Sequence, residues 1–317
     1  TLDANGGASD ITLDDNGDAT YTNTFGTLVL TGNNVTVYEN AAMDFGATSV
    51  GTNLVAQAET GDISDSGAVT VGGTSQFTVA DTQSVVLDVV GNDFTGNVTF
   101  GSAGTIANVT VDDASAFAIQ AGLTISGNLD ITAGGAITDL GAVSVGGTSR
   151  FATDVAADVT LDGASTYTGT VSFDTTVGTT TGNAALTNAA SAIDLGASAV
   201  DGALQVGAGG AITDSGNVLV SGTTTLDAGA GNNITLDQAG NDFDNDDTGD
   251  GVSITSGNNV TLVDVDAIVL GASTISGTLD VTASGTITDS GTVSVTGTVT
   301  LDANGGASDI TLDDNGD

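Results

Sequence analysis

The sequence predicts an all-β chain folded as a parallel β-helix (β-solenoid), with about 25 residues per coil and roughly 12–13 coils. Three observations lead to this fold class. Internal repeats run through the chain, apolar and polar residues alternate with a period of two, and Gly and Asn turns separate the alternating runs. The chain also has no Pro, which suits ladders in which most backbone N–H groups are bonded.

The repeat unit is about 75 residues long. Four related strings mark it, ISDSGAVTVGGTSQF, ITDLGAVSVGGTSRF, ITDSGNVLVSGTTTL and ITDSGTVSVTGTVTL, which begin at Ile63, Ile137, Ile212 and Ile287. Residues 300–317 repeat residues 1–18 identically, at an offset of 299. We therefore expect residues 1–317 to form a single continuous β-solenoid segment of four units, and the array to continue past both ends.

Each unit contains roughly three stretches that could each make one circuit of a β-helix. A single circuit is too short to bury its own Val and Leu side chains, but stacked circuits would bury one continuous column. Large aromatic residues recur at equivalent repeat positions and are predicted to lie in this column: Phe77, Phe94, Phe151, Tyr167 and Phe243. The rival architecture is an array of β-sandwiches, whose units are nearer about 100 residues and richer in Pro and aromatic residues.

The charge balance excludes several classes of partner. The 317 residues include 40 Asp plus Glu and a single basic side chain, Arg150, for a formal net charge of −39. Nucleic acid binding requires Lys and Arg to neutralise phosphates, so no nucleic acid partner is expected. No apolar run reaches the length of a transmembrane helix, so no membrane insertion is expected.

Catalysis is not predicted. The chain contains no His, Lys or Cys, and its Ser and Thr residues lack a neighbouring base. Acidic residues at equivalent positions end the strand of each repeat: Asp14, Asp88, Asp162, Asp237 and Asp313. Because such a residue recurs in every unit, we expect it to accept hydrogen bonds from turn N–H groups. We predict no catalytic residues and a protein that is not an enzyme.

One acidic stretch has the residue types and the spacing that are typical of a calcium-binding loop. NDFDNDDTGDG spans 241–251, and its carboxylates alternate before a later fourth one, as in Ca²⁺ loops. The candidate metal ligands are Asp242, Asp244, Asp246 and Asp250. Counted from Asp242, the loop departs from an EF-hand because its sixth position is Asp247 and its twelfth is Ser253. A solvated acidic loop is the alternative reading, and DDNGD at 14–18 is a weaker candidate.

Five Asn-x-Thr triplets match the acceptor pattern for N-glycosylation. They begin at Asn34, Asn97, Asn108, Asn233 and Asn259. The alternative reading is structural, with each Asn in a turn before a strand and the Thr facing outward.

The strings AGNDFTGNVTF, GNNVTLVD and LTISGNLDITAGGAITD resemble the repeats of very large bacterial exoproteins. These are the filamentous-haemagglutinin-like β-strand-repeat adhesins and their two-partner-secreted relatives. The resemblance covers nearly the whole chain. It implies secretion, a right-handed β-helical shaft, and a role in attachment or in a matrix.

The expected function is therefore that of an extracellular, cell-surface structural and adhesive repeat protein forming a rigid shaft, fibre or sheath. Expected partners are further copies of the same repeat and the glycans of host, cell or matrix surfaces. Calcium is the expected ion, and no other cofactor is predicted. The alternative is a β-helical protein that binds or degrades glycans.

Overall fold

The computed structural model describes residues 1–14, 23–176, 181–246 and 248–313, apart from the side chain at position 188. The fold is all-β, with parallel strands stacked in about 14 turns, which confirms the predicted β-solenoid. Within the described residues, no helix is long and apolar enough to cross a membrane. The chain divides into two compact units, Thr1–Ser149 and Arg150–Asp317. That residues 1–317 form one continuous solenoid stays a prediction.

The first unit is built from short parallel strands that pair from one turn to the next. Its strands are β1 (Leu2–Asp3), β2 (Ile11–Leu13), β3 (Thr27–Leu28), β4 (Leu30–Gly32), β5 (Val35–Glu39), β6 (Met43–Phe45), β7 (Thr48–Val50), β8 (Leu54–Ala58), β9 (Ile63–Asp65), β10 (Val69–Val71), β11 (Ser75–Val79), β12 (Val85–Leu87), β13 (Asp93–Phe94), β14 (Val98–Ser102), β15 (Val109–Asp113), β16 (Phe117–Ile119), β17 (Thr124–Ile125), β18 (Leu129–Ala133), β19 (Ile137–Asp139) and β20 (Ser144–Val145). Three sheets dominate, ordered β1-β4-β7-β10-β13, β2-β5-β8-β11-β14 and β3-β6-β9-β12-β15-β18.

The second unit has the same construction. Its strands are β21 (Ser149–Thr153, which starts on the last residue of the first unit), β22 (Val159–Leu161), β23 (Thr166–Tyr167), β24 (Val171–Asp174), β25 (Ala184–Ala189), β26 (Ile193–Leu195), β27 (Ser198–Val200), β28 (Leu204–Ala208), β29 (Ile212–Asp214), β30 (Val218–Val220), β31 (Thr224–Asp227), β32 (Ile234–Leu236), β33 (Gly251–Ser256), β34 (Val260–Asp264), β35 (Ile268–Leu270), β36 (Ser273–Ile275), β37 (Leu279–Ala283), β38 (Ile287–Asp289), β39 (Val293–Val295), β40 (Val299–Ala303) and β41 (Ile310–Thr311), with a 3₁₀ turn at Asn304–Gly306. The two main sheets run β24-β26-β29-β32-β34-β37-β40 and β22-β25-β28-β31-β33-β35-β38-β41.

Most turns are shorter than the sequence predicts. In the first unit Val35 pairs with Leu54, and Leu54 pairs with Ser75, so each of these two intervals closes one turn. Strands of two to six residues joined by tight corners need fewer residues per circuit. A longer interval separates Thr224 from its partner Val252, and the extra residues form the acidic turn at 241–251.

The repeat unit does not contain a whole number of turns. In the first unit, Ile63 belongs to a column of paired residues that continues through Val85, Val109 and Leu129. Its repeat equivalent, Ile137, lies beyond Leu129 in β19, which belongs to a different sheet. The second unit repeats this relation between Ile212 and Ile287. Each repeat therefore makes three turns and part of a fourth.

The core is the inward column that the alternating pattern predicts. In β5 the side chains of Val35, Val37 and Glu39 are buried, whereas the two between them are partly exposed. The predicted core aromatics are also buried. The ring of Phe77 lies edge-on to Phe94, with centroids 5.9 Å apart, and stacks on Phe100 at 6.2 Å. Aromatic contacts of this kind add to the stabilisation from burial.

The glycine in the ISDSG or ITDSG string permits close approach of successive turns. A Cβ atom on Gly67 would lie 2.5 Å from the backbone nitrogen of Ala47 in the preceding turn. A Cβ atom on Gly216 would collide in the same way with the backbone of Ala197. A larger residue would therefore force adjacent turns apart at this corner.

Candidate functional site

The acidic turn is anchored at its start by buried side chains. Asn241 is fully buried and donates from Nδ2 to Asp214 Oδ2 at 2.6 Å, while its Oδ1 accepts the N–H of Val218 at 2.8 Å. Phe243 is buried in the core, and its N–H donates to the carboxylate of Asp264 at 3.1 Å. These hydrogen bonds fix the position of the backbone where the acidic turn begins.

Three of the four predicted metal ligands lie together in this turn. Carboxylate oxygens of Asp244, Asp246 and Asp250 lie within 4.8 Å of one another. Asp244 is buried and accepts the N–H groups of Gly249 at 2.8 Å and Asp250 at 3.3 Å. The Thr248 hydroxyl lies 2.8 Å from Asp246 Oδ1 and 3.1 Å from Asp250 Oδ2. These contacts hold three like charges at short range.

The fourth predicted ligand, Asp242, is placed differently. Its N–H donates to Val218 O at 3.0 Å and its carbonyl accepts from Val220 N at 2.8 Å. Its carboxylate accepts the N–H of Asp244 at 3.3 Å. Asp242 is thus part of the ladder and supports the turn, and it does not join the group of three. Asp247, the sixth position of the compared loop, and residues 15–18 of the weaker candidate lie outside the described residues.

The donor set suits a hard cation. All three side chains offer carboxylate oxygens, which Ca²⁺ prefers, and a Ca²⁺ ion takes six to eight oxygen ligands. Asp246 and Thr248 are exposed and Asp250 is half-exposed, so water could complete the coordination shell. The N–H groups that donate to Asp244 also stabilise its negative charge, so they do part of what a bound cation would do.

The strand-ending acids do not act as predicted in three of the repeats. The backbone N–H groups of Asp88, Asp237 and Asp313 donate to carboxylates of Asp65, Asp214 and Asp289, at 3.1, 3.0 and 2.9 Å. The turn acceptor is therefore the Asp of the ISD or ITD string. This Asp ends the strand one turn earlier, where it can reach the next turn's open N–H groups.

Sequence reasoning missed a set of buried acids. Glu39, Asp113 and Asp264 end the strings VTVYE, VTVDD and VTLVD, and all are at most 2% exposed. Burial raises the pKa of Asp264 to about 7, and it raises the pKa of Glu39 and of Asp113 above their usual values. The signal was present, because period-two alternation places the fifth residue of each string on the same side as two buried apolar residues.

Sequon asparagines have side-chain partners in adjacent turns, as three of the five show. Asn34 Oδ1 accepts from Asn53 Nδ2 at 3.1 Å, Asn108 Oδ1 accepts from Asn128 N at 2.9 Å, and Asn259 Oδ1 accepts from Thr278 N at 3.1 Å. These contacts agree with the structural reading of the triplets, in which Asn satisfies turn groups.

A groove of about 420 Å³ in the second unit contains the single basic side chain. Arg150 Nη2 lies 3.6 Å from Asp174 Oδ2, and both side chains are about half exposed. Asn217 adds a further polar group to the lining. Phe173 contributes to the wall but is only 1% exposed, so its ring belongs to the core and offers no face for stacking on a sugar.

The stacked parallel strands and recurring turn contacts define a β-solenoid repeat protein. The chain belongs to the family described as "Repeats of unknown function (DUF5649)", whose model matches residues 32–101, 106–174, 181–248 and 257–317. The starts of the four matched segments follow the spacing of the predicted repeat. Comparison with curated proteins and with solved structures gave no match.

Proposed function

We propose that this chain is an extracellular structural and adhesive repeat segment that forms a rigid shaft, surface fibre or sheath. The observation that carries the proposal is the parallel pairing of successive turns, which one sheet in each unit carries from turn to turn, with apolar side chains stacked inside. The resemblance of the repeats to filamentous-haemagglutinin-like adhesins supports the extracellular and adhesive parts. Mechanical support requires no catalytic group, so the proposal is for a protein that is not an enzyme.

The proposed mechanism is the sharing of load among many backbone hydrogen bonds. Each turn contributes ladder bonds to the turn before it and to the turn after it. Repeats that contact only their neighbours gain stability from each interface. The proposed partners are further copies of the repeat and surface glycans, with no nucleic acid and no inserted membrane segment.

Immunogold labelling of intact producing cells tests this proposal. Antibodies against the chain should decorate the cell surface and filaments that project from it, without permeabilisation. Labelling that appears only after permeabilisation would overturn the extracellular role. Surface labelling on cells whose attachment to glycan-coated beads is unchanged by deletion of the repeat would overturn the adhesive part alone.

The second candidate function is glycan binding or degradation at a groove. The polar groups of Arg150, Asp174 and Asn217 in one lining favour it. Incubation of the chain with a panel of acidic and neutral polysaccharides would separate the two ideas. Release of reducing ends that depends on Asp174 would establish an enzyme and contradict the structural proposal.

The acidic turn is the proposed Ca²⁺ site of the shaft. Isothermal titration of the chain with CaCl₂ should give binding that Asp244→Asn weakens, because Asp244 is the buried member of the three-carboxylate group. The matched control is Asp280→Asn, an exposed acid on β37. Equal loss in both variants would mean diffuse counterion binding and would remove the specific site.

A further inference from the structure

Two buried carboxylates occupy the same place in successive repeats of the first unit. Glu39 is the last residue of β5, and Asp113 is the last residue of β15, at the equivalent position of the next repeat. Both side chains are 0% exposed. Acidic side chains are seldom fully buried, so their recurrence at one repeat position requires a physical reason.

Each of these carboxylates holds the backbone of a Phe in a different turn. Glu39 Oε1 accepts the N–H of Phe25 at 2.6 Å. Asp113 Oδ1 accepts the N–H of Phe94 at 3.2 Å, together with the N–H and hydroxyl of Ser115 at 3.0 and 3.1 Å. The remaining oxygens, Glu39 Oε2 and Asp113 Oδ2, are buried and have no hydrogen-bond partner among the described residues.

No cation among the described residues offsets these buried acids. The ionisable side chains on the neighbouring strands, or directly after them, are Asp14, Tyr38 and Glu59 near Glu39, and Asp88, Asp93, Asp112 and Asp130 near Asp113. All of these are acids or a phenol, and Asp93 disfavours ionisation of Asp113 by like-charge repulsion. Burying an ionised carboxylate that has one unpaired oxygen and only like charges nearby costs much more free energy than burying the neutral carboxyl group.

We propose that Glu39 and Asp113 are proton-controlled clamps: when protonated they join successive turns of the first unit at low desolvation cost, and when ionised they make the same stacking less stable. The repeat would then be a structural element whose folded state is more stable at low pH than at high pH. Desolvation by burial raises the pKa of both groups, and the N–H bonds from Phe25, Phe94 and Ser115 oppose it only in part.

The direction of the pH dependence follows from these raised pKa values. In the unfolded chain Glu39 and Asp113 ionise near 4.5 and 3.8, whereas the folded chain retains their protons to higher pH. The cost of ionisation is therefore absent below those ordinary values and grows as pH rises through the raised ones. The folded state should lose stability as pH rises from these ordinary values through the raised ones, and the loss should then level off.

Thermal unfolding of the full chain by circular dichroism at pH 5 and pH 8 tests the clamps. Glu39→Gln and Asp113→Asn keep an oxygen that can accept the Phe N–H but cannot ionise. Each should raise Tm at pH 8 by about 2–4 °C over the unmodified chain and change it little at pH 5. Asp280→Asn, which removes one exposed charge, should leave the gap between the two pH values unchanged.

Two outcomes would overturn the proposal. Equal loss of Tm at both pH values in the Gln and Asn variants would mean that the carboxylates are ionised structural acceptors. An equal gain from Asp280→Asn would assign the pH effect to general charge repulsion. Infrared spectroscopy covers the case in which a Glu39 or Asp113 variant fails to fold. It is carried out on an Asp264→Asn chain, because the raised pKa of Asp264 would otherwise give the same signal. A protonated-carboxyl band should persist there above the pH at which ordinary carboxyl groups ionise, and its absence would contradict the clamps.

Discussion

Ser75, Ser149 and Thr224 place hydroxyl groups inside the core at equivalent repeat positions. Their side-chain oxygens are buried and have no hydrogen-bond partner among the described residues. Thr224 lies in register between Leu204 and Val252, so its hydroxyl has apolar neighbours on both sides. A buried polar group without a partner lowers stability.

Replacing this hydroxyl by a methyl group should therefore stabilise the fold. Thr224→Val keeps the volume and removes the unpaired oxygen, so we expect the free energy of unfolding to increase by about 1 kcal/mol. Urea denaturation of the full chain measures this change. The control Thr225→Val alters the outward neighbour on β31 and should be close to neutral. Destabilisation by Thr224→Val would show that the hydroxyl has a partner in the folded protein.

Asn92 and Asn241 connect turns through a network that occurs once in each unit. Asn92 donates to Asp65 Oδ2 at 2.6 Å and accepts the N–H of Val69 at 2.7 Å. The same contacts link Asn241 with Asp214 and Val218 in the second unit. In both units, the Asn side chain holds the corner that precedes the buried Phe of the NDF string.

Removing the Asn92 side-chain amide should destabilise the corner that it holds. Asn92→Ala leaves the Val69 N–H and the Asp65 carboxylate without their buried partner, so we expect a loss of about 2–3 kcal/mol in the free energy of unfolding. Denaturant unfolding followed by circular dichroism measures it. Asn97→Ala alters an exposed Asn at the start of β14 and should cost less than about 0.5 kcal/mol. Equal effects of the two substitutions would contradict the role of the network.

The strands were largely predictable from the sequence, whereas the circuit length and the corner contacts were not. Alternation and repeat spacing predict which residues lie inside, and Phe77 and Phe94 lie there as expected. Alternation within a strand carries no information on how many residues turn a corner, so the predicted circuit was too long. The acidic turn was recognised from its composition, but only the folded backbone shows that Asp242 supports the turn apart from the other three carboxylates.

Charge acts at the scale of the whole molecule. A net charge of −39 over about 14 turns is about 2.8 negative charges per turn. Neighbouring strands lie about 4.8 Å apart, so at this average the charge per unit length within each unit approaches that of duplex DNA, about one per 1.7 Å. Self-repulsion of this size opposes folding and opposes association between copies.

Salt should therefore stabilise the chain, and divalent cations should promote its association. We expect Tm at pH 8 to rise between about 10 mM and 150 mM NaCl, because the Debye length shortens from about 30 to 8 Å. Static light scattering should increase on addition of CaCl₂ at constant ionic strength. A Tm that is independent of salt, with scattering that stays flat through the calcium titration, would contradict this account of the charge.

The structure depends on parallel strands that stack in register, and disulfide trapping can test this register in a chain that has no natural Cys. Gln76 and Thr99 are exposed partners on the adjacent strands β11 and β14. Adjacent strands bring Cα atoms within the range that a disulfide spans. We expect Gln76→Cys with Thr99→Cys to crosslink readily on mild oxidation, whereas Gln76→Cys with Gly101→Cys, two positions out of register, should not. Crosslinking of the mismatched pair in preference to the matched pair would contradict the solenoid register.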